Sequence, residues 1–119
     1  MSATWDTVRK LAGELPEVEE GTSYRTPALK VRGRMFVRLR EDEETIVVWT
    51  DYDEREALTQ GQPETFLVTP HYEDYPLVLI RLARVDADEL RELLTESWRD
   101  RAPKRLRAAY DAGESSATS

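Results

Sequence analysis

Thirteen residues around one glycine limit this chain most: "ALKVRG" at 28–33 and "RMFVRLR" at 34–40. Leu29 and Val31 alternate with Lys30 and Arg32. Past Gly33, an inner set of Met35, Val37 and Leu39 alternates with an outer set of Arg34, Phe36, Arg38 and Arg40. Side chains of a strand point alternately to its two faces, so two such runs split by a turn residue predict a half-buried hairpin.

The segments on either side extend this to a fold class. Trp5, Val8, Leu11, Ala12 and Leu15 recur at helical spacing behind Thr4 as N-cap, and Pro16 stops the helix. "EVEEGTSYRTP" then reads as a polar segment with turn residues. After the hairpin, "EDEE" at 41–44 predicts a solvated loop and "TIVVWT" at 45–50 a β-branched strand. "DYDEREALTQG" reads as a short helix with acids at its start and Gly61 at its end. "TFLVT" and "PLVLIRLARV" are two further strands; Leu77 and Leu79, opposite Val78, Ile80 and Leu82, imply that both faces of the second are covered. Asp86 and Glu89 open a helix with Leu90, Leu93, Leu94 and Trp98 as its apolar stripe; Pro103 interrupts it before a last short helix. The expectation is α+β: an N-terminal helix, about five mostly antiparallel strands with a short inserted helix, and C-terminal helices packing on the sheet.

At 119 residues, this suits one domain over 1–112, with "GESSATS" from Gly113 predicted as a disordered tail. No apolar run approaches the roughly 18–20 residues of a membrane span. The amphipathic N-terminus lacks the apolar core of a secretory signal, and with no cysteine a cytoplasmic location is the expectation. The net charge of −7 argues against bulk attraction to nucleic acid, but its distribution is uneven. Residues 25–40 carry six basic groups and no acid, whereas residues 41–75 carry eleven acids and only Arg55.

The helix-first order, "YRTPALKVRGRMFVRL", "VTPHYEDYPLVLIRL" and "LRELLTESWRDRAPKRL" together resemble the YjbR/MmcQ-like family of small bacterial proteins, over roughly residues 4–110. The resemblance implies a double-wing fold, grouped with secretion-chaperone-like α+β domains, and DNA as the ligand. It supplies no catalytic residues.

Three groups of residues are candidates for function. In the hairpin, Lys30, Arg32, Arg34, Arg38 and Arg40 would share one face with Phe36, giving arginines for phosphates and an aromatic ring for a base. The competing reading is a solvated face whose cations oppose the acidic segment that follows. His71, the single histidine, lies in "PHYEDYP" with Tyr72 and Tyr75. It is either part of a rigid aromatic turn or a lining group of a cleft; a base or a metal ligand beside Glu73 and Asp74 would need partners that no motif supplies. Tyr24, Arg25 and Thr26 would meet Trp98, Arg99, Arg101, Lys104 and Arg105 if the last helices return to the first strand, unless Trp98 is core. The acids at 51–56 lack the spacing and glycine of a calcium loop. With no phosphate loop, nucleophile elbow or paired-histidine motif, the expectation is a protein that is not an enzyme and has no cofactor or metal. Its expected partner is DNA, bound weakly and with salt dependence, or alternatively another protein or a second copy in a homodimer; no membrane role is expected.

Overall fold

The computed structural model describes residues 3–23 and 25–113. Helix α1 (Trp5–Ala12) starts where Thr4 and Thr7 satisfy each other's backbone N–H groups through their hydroxyls, a capping box. It buries Val8 and Ala12. Five strands follow the order of the chain with one inserted helix: β1 (Val18–Ser23), β2 (Thr26–Val31), β3 (Arg34–Leu39), β4 (Thr45–Trp49), α2 (Tyr52–Gly61) and β5 (Phe66–Leu67). A single 3-10 turn, Pro70–Tyr72, leads into β6 (Leu77–Arg81), and α3 (Ala87–Arg101) and α4 (Lys104–Asp111) close the fold. All pairings are antiparallel in one six-stranded sheet ordered β1-β2-β3-β4-β6-β5.

The expected α+β class holds, with one more strand than expected. β1, "VEEGTS", lies inside the segment read as loop, because its sequence has neither apolar alternation nor strand propensity. Its backbone pairs with β2 from Val18–Val31 to Ser23–Thr26, and at the sheet edge one neighbour suffices. Of the segment 113–119 read as a tail, Gly113 is described and closes the last helix, its N–H donating to Tyr110 O at 3.0 Å; the rest lies outside the described residues.

One face of the sheet carries the main core. Leu29, Val31, Val37, Ile46, Val48, Val78 and Ile80 pack with Val8 and Ala12 of α1 and with Leu90, Leu94 and Trp98 of α3. Fully burying one such aliphatic side chain contributes about 1.5–3 kcal/mol. The opposite face holds a second cluster, Val47, Leu77 and Leu79, with Trp49, Leu67 and Tyr72 against it. That is the second cover implied by Leu77 and Leu79.

The hairpin departs from strict alternation. Ala28 opposes Arg38 and Leu29 opposes Val37, but Lys30 then opposes Met35, leaving Phe36 as an extra residue in β3. Such a bulge reverses the facing of everything on one side of it. Phe36 is therefore fully buried in the main core rather than on the outer face, and Met35 is only half-buried. The register puts Arg34 on the same face as Val31, toward α3. At the tip, Arg32 and Gly33 have φ of 52° and 82°, the pair of positive values that a two-residue hairpin turn needs.

Candidate functional site

The six hairpin positions do not share one environment, and Arg40 is half-buried just past the end of β3. Arg32 and Arg34 are exposed at the tip, Lys30 lies half-buried against Gly21, and Phe36 is core. Arg38, read as an outer cation, has a side chain only 5% exposed. It sits in a row across the sheet with Gly21 and Ala28 on one side and Val47 and Leu79 on the other. The two small residues leave room for a long side chain. A guanidinium in such a row must be hydrogen-bonded: Nη1 donates to Thr26 Oγ1 at 3.2 Å and Nη2 to the Tyr72 hydroxyl at 2.6 Å.

Tyr72 thus joins the hairpin to the aromatic turn. Its ring packs on the second cluster and meets the exposed His71 edge-on, with centroids 4.8 Å apart. The turn itself is held from α2. Arg55 Nη1 donates to the carbonyls of Tyr75 (2.8 Å), Leu77 (3.3 Å) and Tyr72 (3.4 Å), and Nη2 to that of Glu73 (3.0 Å). Sequence reasoning missed Arg55; its signal was being the one cation in an eleven-acid segment. Tyr75 remains exposed, as does Tyr52, whose hydroxyl donates to Asp74 O at 2.8 Å. Among the described residues no three His, Cys, Asp or Glu side chains gather as a metal site would require.

Two adjoining clefts open where β2, β3 and this turn meet. One, about 330 Å³, is lined by Arg38, Arg40, Glu41, His71 and Tyr72. The other, about 590 Å³, shares Arg40 and Glu41 and adds Arg25, Thr26, Pro27, Leu39 and Glu43. Arg25 and His71 thus border neighbouring clefts with Arg40 and Glu41 between them. Tyr24 lies outside the described residues.

The C-terminal candidates separate from Arg25. Trp98 is core, its Nε1 donating to Pro16 O at 3.0 Å. Arg99 pairs with Asp111 and lines a third cleft of about 580 Å³ between α2 and α3. Arg101 stacks 4.2 Å from the centroid of Trp49. The hairpin tip, however, does reach the end of α3: Arg34 Nη1 lies 3.5 Å from Arg101 O. Burial first, then the charge of Arg34, hold the Arg101 guanidinium below its usual value. The next residues along the chain from this junction include the exposed Lys104 and Arg105.

Comparison with known proteins agrees with this architecture. The YjbR family model matches residues 13–100. "Uncharacterized protein Rv2570" of Mycobacterium tuberculosis is 32% identical, with 91% of this chain and 95% of that protein covered, and "Uncharacterized protein Mb2600" of Mycobacterium bovis shares the same values. The crystal structure of Deinococcus radiodurans protein DR2400, a DUF419 domain, superposes with a TM-score of 0.71 at 26% identity, covering 82% of this chain and 78% of that one. The chain belongs to the YjbR family.

Proposed function

We propose that this YjbR-family chain is a non-enzymatic binding module that holds a nucleic-acid backbone on a basic patch formed by the hairpin tip and the α3–α4 junction. The observation that supports it is the approach of Arg34 to the end of α3, which sets its charge against Arg101. Like charges forced together cost stability unless an anion is held between them. With Phe36 and Arg38 withdrawn, and Arg32 paired with both carboxylate oxygens of Glu17, the contacts fall to Arg34, Lys104 and Arg105, all exposed. The patch reads phosphates, not bases. A short duplex titrated by fluorescence anisotropy is expected to bind with a log–log salt slope of about −3, one contact per cation. Arg34→Gln and Lys104→Gln each lower that slope by about one and leave thermal stability unchanged. A flat salt dependence, or affinity indifferent to both changes, overturns the reading.

A second reading is a protein-interaction module. It is supported by Tyr52 and Tyr75, the exposed large apolar side chains among the described residues, at 48% and 53%, linked through the 73–75 turn. Light scattering of the wild-type chain and of Tyr52→Ser/Tyr75→Ser separates a homodimer through this edge, which the double change would dissolve, from a monomer, which denies it.

A further inference from the structure

Arg38 stands out because the nucleic-acid patch does not use it. A guanidinium taken from water loses several kcal/mol of hydration, and apolar replacement at such positions is often neutral or stabilising. Its row neighbours Val47 and Leu79 show that an aliphatic side chain would suit the surroundings. Instead the chain holds the arginine flat between the hydroxyls of Thr26 and Tyr72. Thr26 is itself fixed, its hydroxyl donating to Ser23 O at 2.7 Å. Fixing of this kind prepares a guanidinium for an oxyanion, whose planar fork matches a carboxylate or phosphate.

The surroundings agree with this. Arg40, on the shared wall of the two clefts, has its Nε buried with no hydrogen-bond partner among the described residues. His71 and Arg25 add donors at the two ends. Glu41 approaches Arg38 Nη1 only to 3.9 Å and has a side chain 69% exposed, so it is a loose counter-charge that an incoming anion can displace. Next to the charged lobe, Pro27 and Leu39 give the larger lobe an apolar wall.

We propose that the two neighbouring clefts together bind a small ligand that carries an oxyanion, carboxylate or phosphate, on an apolar body that reaches past Arg40. The oxyanion sits among Arg38, Arg40 and His71, and the body lies against Pro27 and Leu39. This site is separate from the hairpin-tip patch and does not depend on it.

The test is an amide NMR titration of the full chain with three probes: N-acetyl-leucine, N-acetyl-leucinamide and inorganic phosphate. N-acetyl-leucine is expected to shift the amides of 25–27, 38–41 and 71–72 with a dissociation constant of about 1 mM. The neutral amide produces no such shifts. Phosphate shifting the same amides more tightly than N-acetyl-leucine assigns the oxyanion to a phosphoryl group; the reverse order assigns it to a carboxylate, as at a peptide C-terminus. Arg40→Gln weakens binding at least fivefold, Glu41→Gln tightens it severalfold, and Arg34→Gln leaves it unchanged. Because Arg38 variants risk the fold, these three decide. Equal shifts from acid and amide, no shifts from either anion, or an unchanged affinity in Arg40→Gln would overturn the proposal.

Discussion

Ser97 carries two hydrogen bonds at the point where the sheet is irregular. Its hydroxyl donates to the carbonyl of Phe36, the bulge residue, and accepts the N–H of Trp49 at 2.9 Å. Both backbone groups sit where regular strand pairing between β3 and β4 has ended, at Val37–Val48. Ser97→Ala therefore leaves a carbonyl and an N–H in a buried setting without partners. It is expected to cost about 2 kcal/mol in urea melts, against a few tenths for a surface serine. Nothing in the sequence singles out this serine, since its role exists only once the bulge does. Asp42 is a second case, and a more local one. Burial would push its carboxyl up, but bonds from Glu44 N and from the N–H and hydroxyl of Thr45, with the charge of Arg40, outweigh that and hold it below its ordinary value. A depressed carboxyl contributes stability above its unfolded value, near 3.9, and loses it as pH falls through the folded one. Asp42→Asn is expected to flatten the acid limb of stability against pH, measured by denaturant melts at successive pH values.

Among the elements, the 3-10 turn shows how an unpromising segment becomes rigid. Pro70 starts it and Arg55 ties it to α2 through four carbonyls. Arg55→Gln removes those bonds without touching the main core. Amide exchange is expected to speed up at Tyr72, Tyr75 and Leu77 while the exchange of β4 is unchanged. Equal acceleration across the sheet would mean that Arg55 supports the whole fold rather than the turn. The hairpin teaches the complementary lesson. Its existence, its turn at Gly33 and the burial of Val37 and Leu39 were legible from alternation. The faces of Phe36 and Arg34 were not, because one extra residue shifts the register and alternation contains no sign of it; Arg38 keeps its expected face, opposite Val37 and Leu39, but that face is covered by Tyr72. The candidate site suffered most, since its arginines lie on either side of that shift. β1 went unread for a related reason: its strand conformation comes from β2's backbone, not from its own side chains.

Over the whole molecule, long-range bonds decide which surfaces meet. Trp98 fixes α3 to the α1–β1 connection through Pro16 O and meets the Tyr110 ring at 5.0 Å, so it joins both ends of the fold. Trp98→Phe is expected to cost about 2–3 kcal/mol, from one lost bond and a cavity, with a single cooperative transition by circular dichroism and fluorescence. What the sequence determined by itself was local: helix starts at Thr4 and Asp86, the acids that open α2, the positions of strands β2 to β6, the apolar stripe of α3 and the clustering of charge. These follow from backbone geometry repeated over a few residues. Only the tertiary structure decided that Arg38 meets Tyr72, 34 positions away, and that Arg34 meets Arg101, 67 positions away. The first follows because Arg55 ties the turn carrying Tyr72 over the sheet face that Arg38 occupies. The second follows because seating Phe36 in the core, with Ser97 of α3 receiving the freed carbonyl, turns Arg34 toward that helix.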